Sequence, residues 1–231
     1  MSIIHFIGGE KGGVGKSLVA RLLAQYCIDK SLPLVGFDTD RSHGALMRFY
    51  SDYASPVLVD SYENLDAIVE AAVAEPDRRV LVDMAAQTHD PLVKWIEESS
   101  LLDLAQDSGF AIRYWHVMDA GKDSVDLLKR LLDCFSTKLS YVLVLNQIRG
   151  SDFSILNQSG EYARAQALGA RVVSLRHLHD AAMQKIDASS SSFWAAQNAS
   201  EKASTGLGMM DRQRVKTWMR DAYLQLDGAE V

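Results

Sequence analysis

The segment Gly9-Glu10-Lys11-Gly12-Gly13-Val14-Gly15-Lys16-Ser17 matches the pattern GxxxxGK[ST] over its full length. An apolar run at Ile3–Gly8 precedes it and predicts a buried strand, and Lys16–Lys30 carries apolar residues at helical spacing. A strand, a glycine-rich loop and a helix in this order form the context of a phosphate-binding P-loop. The alternative interpretation is an ordinary glycine-rich turn.

The residue types of this loop suit a bound phosphate group. Glycines let successive backbone N–H groups converge on phosphate oxygens, and the start of the helix adds a favourable dipole. Lys16 would neutralise charge on the β- and γ-phosphates, and the Ser17 hydroxyl would bind Mg²⁺. We therefore expect ATP and Mg²⁺ as cofactors, with nucleotide contacts from Gly12, Gly13, Val14, Gly15, Lys16, Ser17 and Leu18.

Outside the loop, short apolar runs alternate with longer stretches of helical periodicity, which indicates βαβ units around a parallel sheet. The predicted strands are Ile3–Gly8, Leu34–Asp38, Val57–Asp60, Val80–Asp83, Ile112–Met118, Tyr141–Asn146 and Arg171–Leu175. The predicted helices between them are Lys16–Lys30, Tyr62–Ala74, Pro91–Gln106, Lys122–Phe135 and Glu161–Leu168. We expect an α/β fold with a doubly wound, mostly parallel sheet of about seven strands and helices on both faces.

The pattern changes after Leu175. His177–Ile186 and residues 211–226 predict two further helices. Between them, the serine run Ser189–Ser192 predicts an ordered surface loop, because the aromatic pair that follows it needs an apolar environment. We expect residues 1–231 to form a single domain, in which 176–231 are a C-terminal helical part packed on the sheet.

Composition limits the classes of partner. The 231 residues have a formal net charge of −6, so binding of DNA or anionic lipid needs a local basic patch. The two cysteines, Cys27 and Cys134, lack CxxC spacing, which favours buried free thiols and a reducing compartment. The sequence shows no signal-peptide pattern and no apolar run of ~18 residues. We expect a cytoplasmic protein with no transmembrane segment.

Within the loop, Lys11-Gly12-Gly13-Val14-Gly15-Lys16-Ser17 resembles the deviant Walker A motif, KGGxGK[ST], of the ParA/MinD family of ATPases. The early lysine is the distinguishing mark of that motif. The resemblance implies an ATP-dependent homodimer with the nucleotides sandwiched at its interface. It also implies that Lys11 reaches across the interface to the partner's ATP, and that Lys11 and Lys16 are catalytic.

Two further segments resemble the family's acidic strand ends. Leu34–Asp40 is similar to a strand ending in DxD, which implies that Asp40 orients or activates the attacking water and that Asp38 supports magnesium. Arg79–Asp83 is similar to a Walker B strand, whose Asp83 would hold the magnesium and its water shell. Carboxylates at these strand ends would lie at the ligand crevice of a parallel sheet. The alternative for Asp38 and Asp40 is that they cap the following turn.

A third segment, Tyr141–Asn146, resembles the family strand whose terminal asparagine reads adenine. Asn146 is therefore the candidate for base recognition, because an amide both donates and accepts hydrogen bonds. The alternative is a turn-forming asparagine. The chain departs from the family at Arg41-Ser42-His43, where Pro-Gln is common, and at residues 84–88, where a proline usually follows the Walker B aspartate. The subgroup stays open between plasmid partition proteins and mobilisation proteins of the TraL type.

The last predicted helix carries a basic stripe of Arg212, Lys216 and Arg220, with Arg214 close by. This stripe could face DNA, or the helix could lie on a membrane surface. The simpler alternative is a docked helix whose basic face is solvated.

The histidines show no metal-ligand spacing, so we expect no structural metal.

Together these features predict a slow ATPase that hydrolyses ATP to ADP and phosphate and is stimulated by a protein partner. It would act as an ATP-dependent dimerisation switch in plasmid or DNA partition, mobilisation or positioning. One alternative is a nucleotide-dependent binding module with little hydrolysis, accessory to a DNA-transfer or secretion complex. Another is a metabolic P-loop enzyme, which would need a substrate pocket and, for a reductase, cysteine ligands.

Overall fold

The computed structural model describes residues 1–40, 44–86, 88–198 and 206–231. Its strands, numbered in chain order, are β1 (Ile3–Gly8), β2 (Leu34–Asp38), β3 (Ala54–Pro56), β4 (Arg79–Asp83), β5 (Ala111–Met118), β6 (Ser140–Asn146) and β7 (Arg171–Leu175). They form one sheet in the order β3-β2-β4-β1-β5-β6-β7, and every neighbouring pair is parallel. The doubly wound α/β prediction is confirmed, and the sheet is parallel throughout.

The α-helices within the described ranges alternate with these strands. They are α1 (Lys16–Asp29), α2 (Ala45–Phe49), α3 (Tyr62–Ala74), α4 (His89–Glu98), α5 (Leu101–Ser108), α6 (Lys122–Phe135), α7 (Ser154–Ser159), α8 (Glu161–Ala167), α9 (Asp180–Ala188), α10 (Phe193–Asn198) and α11 (Met209–Ala229). Short 3₁₀ turns follow α6 at Ser136–Lys138 and β6 at Gln147–Arg149. None of these helices is both long enough and apolar enough to cross a membrane.

Helices cover both faces of the sheet, as expected for parallel strands. One hydrophobic cluster joins the sheet to α1, α2, α9, α10 and α11, and a second joins the opposite face to the helices from α3 to α8. Strands that are buried on both sides read as continuous apolar runs. Tyr141–Leu145 is such a run, and this is why the central strands could be recognised in the sequence.

The predicted strand Val57–Asp60 is wrong. The edge strand is Ala54–Pro56, and the chain turns over residues 57–60. Val57 is buried, and its backbone N–H donates to the Asp38 carbonyl at 2.9 Å. The apolar residues therefore reflect packing of this turn on the core, because burial alone does not require an extended ladder.

The predicted helix Pro91–Gln106 is also wrong as one element, because it is divided into α4 and α5. The break lies at Ser100, whose φ of 47° and ψ of 40° place it in the left-handed region. Apolar residues continue on both sides of the break, with Trp95 and Ile96 buried before it and Leu101 buried after it. Hydrophobic periodicity therefore did not reveal the interruption.

The C-terminal part packs on the sheet through α11, which lies along β7 and α10. Three arginines near the beginnings of β4, β5 and β7 bind carbonyl oxygens at its end. Arg113 Nη1 donates to the carbonyls of Ala229 at 3.0 Å and Glu230 at 2.8 Å, and Arg171 Nη1 donates to Ala229 at 3.1 Å. Arg79 reaches the Val231 oxygen at 3.4 Å. Cations at a helix C-terminus interact favourably with its dipole.

Within the serine run, Ser191 is buried and hydrogen-bonds to Ser189 at 2.7 Å, and the following Phe193 is fully buried.

Cys27 is buried as expected, but Cys134 is exposed, which corrects the prediction of two buried thiols. Cys134 lies on α6, whose buried face is formed instead by residues such as Leu131 and Phe135.

Candidate functional site

The loop between β1 and α1 occupies the centre of the sheet's carboxyl edge, because β1 is flanked by β4 on one side and β5 on the other. This is the position at which ligands bind in doubly wound sheets. Gly9, Gly13 and Gly15 have positive φ angles of 126°, 73° and 96°. A methyl group on Gly9 would lie 2.3 Å from the carbonyl oxygen of Val117, so only glycine fits there.

Lys16, the first residue of α1, is buried and folds back over the loop. Its Nζ donates to the carbonyl oxygen of Lys11 at 3.1 Å. Burial lowers the pKa of Lys16, although the negative charges of Asp83 and Glu10 oppose that shift. The ammonium group therefore lies at the mouth of the loop beside the acidic strand ends.

The strand ends bring two of the predicted metal ligands together. Asp38 and Asp83 are register partners on β2 and β4, and both are buried. Burial, followed by the charge of Asp38, raises the pKa of Asp83 to about 7, while a hydrogen bond from the Ser17 hydroxyl and the charge of Lys16 oppose the rise. Burial also raises the pKa of Asp38. The Asp38 carboxylate accepts from the backbone N–H groups of Asp40 at 3.0 Å and Met47 at 3.2 Å.

This donor set fits a Mg²⁺ ion. Asp83 Oδ1 is buried and has no hydrogen-bond partner among the described residues. Hard oxygen donors of this kind suit magnesium, and a cation would also relieve the repulsion between the two carboxylates. In the described part of the chain, no three His, Cys, Asp or Glu side chains are grouped for a metal. The remaining ligands would come from Ser17, bound phosphate and water.

The structure places Asp40 just beyond β2, partly exposed at the same edge of the sheet. Between the two aspartates lies Thr39, which sequence reasoning missed. Its hydroxyl donates to the Asp83 carbonyl at 3.0 Å and accepts from the Ala85 N–H at 2.7 Å. Thr39 thus joins the ends of β2 and β4 and sets the spacing of Asp38 and Asp83. Its position inside the DxD segment was the one available signal.

The residues of Arg41-Ser42-His43 lie outside the described part of the chain, and so does Gln87 in the segment after β4.

Lys11 lies on the opposite side of the loop, where its Nζ forms an ion pair with Asp119 at 3.1 Å. Asp119 follows β5, and its side chain is only 3% exposed. It also accepts from the Ser124 hydroxyl at 2.7 Å and the Gly121 N–H at 3.1 Å. Burial alone would raise the pKa of Asp119, but the hydrogen bonds from Ser124, Gly121 and Lys11 hold it below its usual value. Lys11 is therefore held within its own chain.

Asp119 was not recognised in the sequence. The available signal was its position directly after the predicted strand Ile112–Met118, close to the position of Asp83 at the end of its own strand.

Asn146, at the end of β6, is buried against the loop. Its Nδ2 donates to the carbonyl oxygen of Val14 at 2.7 Å, and a methyl group on Gly15 would lie 2.2 Å from the same nitrogen. The amide therefore fastens β6 to the loop. Recognition of adenine by Asn146 stays a prediction.

The other predicted nucleotide contacts differ in burial. Gly12 and Gly13 are exposed on the loop, Val14 is fully buried, and Ser17 and Leu18 are partly buried in the first turn of α1.

The basic stripe lies on α11, where Lys216 and Arg220 are exposed. Acidic neighbours neutralise part of its charge, because Arg214 pairs with Asp211 at 2.9 Å and Arg220 pairs with Asp221 at 3.2 Å. Contact with DNA or with a membrane through this stripe stays a prediction.

No protein-family model matches the chain. Two curated relatives are similar over nearly the whole length: protein TraL of Escherichia coli, 25% identical with 100% of both chains covered, and protein MobD of Acidithiobacillus ferrooxidans, 24% identical with 97% of this chain and 96% of the relative covered.

Solved structures share the fold. The MinD cell division protein of Aquifex aeolicus superposes with a TM-score of 0.55 at 13% identity, covering 99% of this chain and 97% of the other. A plasmid partition protein of Borrelia burgdorferi B31, bound to AMPPNP, superposes with a TM-score of 0.53 at 14% identity, covering 97% and 98%. The chain is therefore similar in sequence to TraL and MobD and shares its fold with MinD and a plasmid partition protein, as expected from its resemblance to the ParA/MinD-like P-loop ATPases.

Proposed function

We propose that this ParA/MinD-like protein binds Mg-ATP in the loop of residues 9–17 and uses ATP as a dimerisation switch. One observation carries the proposal: Asp38 and Asp83 are buried side by side next to Ser17 and Lys16, and Asp83 Oδ1 has no partner among the described residues. A buried acid pair with one unpaired carboxylate oxygen among the described residues, beside a glycine loop at a helix N-terminus, suits a magnesium-bound polyphosphate.

The residues have separate roles in this proposal. Backbone N–H groups from Gly12 to Ser17 would bind the phosphates, and Lys16 would neutralise their charge. Ser17 and Asp83 would hold Mg²⁺, with Asp38 supporting them. Mg²⁺ would supply charge neutralisation on the phosphoryl group that is transferred. Asp40 would orient the attacking water, and Asn146 would contribute to base recognition.

Dimerisation would depend on Lys11. In the structure its ammonium is paired with Asp119, so it must leave that carboxylate before it can reach a partner's nucleotide. Bound ATP would favour the dimer only by the difference in its contacts with the two states. Hydrolysis to ADP and phosphate would then return the chain to the monomer.

The switch would serve plasmid or DNA partition, mobilisation or positioning. Whole-length similarity to TraL and MobD supports the mobilisation type, and the fold shared with a plasmid partition protein and with MinD supports the wider class. A protein partner would stimulate hydrolysis, and Lys216 and Arg220 would contribute to non-specific DNA binding.

Nucleotide binding can be tested by titration calorimetry with Mg-ATP. We expect the wild-type protein to bind and Lys16→Ala to bind at least about tenfold more weakly, because a charge-assisted contact to phosphate contributes about 1.5–3 kcal/mol. Lys129→Ala, an exposed lysine on α6, serves as the control. Absence of Mg-ATP binding by the folded wild-type protein would refute the proposed function.

The second candidate is a nucleotide-dependent binding module with little hydrolysis. The ion pair of Lys11 with Asp119 favours it, since a lysine held in its own chain cannot assist hydrolysis in another. Phosphate release, measured alone, with DNA and with candidate partner proteins, separates the two functions. Stimulation by any of them supports the ATPase, and ATP binding without stimulation supports the module.

A further inference from the structure

Arg149 lies over the glycine loop. It ends the 3₁₀ turn Gln147–Arg149 that directly follows β6. A methyl group built on Gly13 would lie 2.9 Å from its Nη2 atom, so the guanidinium group lies directly beside the exposed part of the loop. Its side chain is 53% exposed, which leaves it accessible to a molecule bound there.

Two contacts place this arginine. Asn146, three residues earlier, donates to the Val14 carbonyl at 2.7 Å, so the residue that precedes the turn is joined to the loop. At the guanidinium itself, Arg149 Nη1 lies 3.3 Å from Asp119 Oδ2. Asp119 is already satisfied by Lys11, Ser124 and Gly121. Arg149 is therefore not needed to compensate this buried carboxylate.

The guanidinium retains donors for a ligand. An arginine has five N–H donors, and the structure records a single ion pair for Arg149 within the described ranges. This ion pair is exposed only on the arginine side, and it uses one of the two terminal nitrogens of the guanidinium. The remaining donors can bind oxyanions, for which the planar guanidinium is well suited.

Charge is distributed unequally around the loop. Toward β2 and β4 it faces the carboxylates of Asp38 and Asp83, which suit a cation. Toward β5 and β6 it faces two cations, Lys11 and Arg149, which both pair with the buried Asp119, while Lys11 also lies 3.7 Å from the exposed Asp123. A phosphate chain lying along the loop would lie between the cations of this side and the carboxylates of the other.

From this arrangement we infer that Arg149 contacts the phosphate chain of the bound nucleotide within its own subunit, with Asp119 as a positioning residue that aims it. The inference rests on the proposed function, since it assigns a further residue to the same site. It concerns phosphate binding in cis, and it is independent of the role proposed for Lys11 across a dimer.

The test compares Mg-ATP binding by titration calorimetry for the wild-type protein, Arg149→Ala, Arg149→Lys and the control Arg130→Ala, an exposed arginine on α6. We expect Arg149→Ala to weaken binding by about tenfold or more, from the loss of a charge-assisted hydrogen bond. Arg149→Lys should recover part of the loss, and Arg130→Ala should bind like the wild type. Increasing salt should weaken ATP binding by Arg149→Ala less than it weakens binding by the wild type.

A structural role would give a different result. Because the side chain is half exposed, the melting temperature of nucleotide-free Arg149→Ala should equal that of the wild type. Normal ATP binding by the wild type together with equal binding by Arg149→Ala would overturn this inference and leave the proposed function standing. Failure of the wild type itself to bind ATP would overturn both.

Discussion

Asn146 leaves no room for a side chain at Gly15 of the loop. Gly15 has a φ of 96°, and a methyl group there would lie 2.2 Å from Asn146 Nδ2. Asn146 has little room to withdraw, because the same nitrogen donates to Val14. The glycine is therefore required by backbone conformation and by space.

We predict that Gly15→Ala lowers the free energy of unfolding by about 1–3 kcal/mol, since it adds left-handed strain and displaces a buried amide. Gly12→Ala is the matched control, because nothing lies within 4 Å of a methyl group there and its φ is not positive. Urea unfolding of the nucleotide-free proteins measures both changes. Equal stability of the two variants would contradict the described loop geometry.

His116, on β5 beside the loop, gives a pH prediction. Burial lowers its pKa to about 4, although a hydrogen bond from its Nε2 to the Ser124 carbonyl at 3.2 Å opposes the shift. Between pH 6.5 and pH 4 the unfolded chain therefore binds a proton that the folded chain does not. The free energy of unfolding should fall as the pH is lowered through this window, by roughly 3 kcal/mol from this residue.

Urea unfolding at several pH values would measure this dependence. Burial also lowers the pKa of His5 well below its usual value, so His5 acts in the same direction, whereas the raised pKa of Asp83 acts in the opposite direction. The loss of stability between pH 6.5 and pH 4 should be smaller in His116→Gln than in the wild type by roughly 3 kcal/mol, and the exposed His179→Gln serves as the control. An unchanged slope in His116→Gln would show that this histidine is not buried in neutral form.

Sequence reasoning found the residues whose roles follow from a local pattern. Lys16 and Ser17 stand in the loop motif, and Asp38 and Asp83 end their own strands. Asp119 was missed because its contact with Lys11 depends on β5 lying beside β1. That neighbourhood is a property of strand order, which no local pattern contains.

At the scale of elements, the central strands were predictable because they are apolar throughout. The short helices α2, α7 and α10 were not, since five or six residues are too few to show helical periodicity. The break between α4 and α5 was missed for another reason. Serine carries no strong signal for the left-handed conformation that Ser100 adopts.

Ser100 therefore offers a test of that break. Ser100→Gly should raise the free energy of unfolding by about 0.5–1 kcal/mol, because glycine adopts the left-handed conformation without the steric cost that serine has. The greater conformational freedom of glycine in the unfolded chain offsets part of this gain. Ser99→Gly is the control, since Ser99 has an ordinary φ of −89° and should gain nothing. Thermal or urea unfolding distinguishes them. A continuous helix through residue 100 would instead be destabilised by the glycine.

At the scale of the whole molecule, the sheet brings together groups that are far apart in the sequence. Lys11, Asp119 and Arg149 meet on one side of the loop, and Asp38 and Asp83 meet on the other. The net charge of −6 makes general attraction to DNA unfavourable, so DNA binding would have to rely on the exposed part of the α11 stripe. We expect such binding to be weak in the monomer and to strengthen in a dimer, which presents two stripes.

The proposed switch requires that ATP changes the association state and that Lys11 takes part in the change. Sedimentation velocity of the wild-type protein and Lys11→Ala, each with Mg²⁺ and AMPPNP at concentrations that saturate binding, measures this directly, with Lys129→Ala as the control. We predict that the wild type and Lys129→Ala become dimers, whereas Lys11→Ala binds nucleotide and remains a monomer. A wild-type protein that binds nucleotide and stays monomeric would contradict the switch, and an unaltered dimer of Lys11→Ala would contradict the role of this lysine.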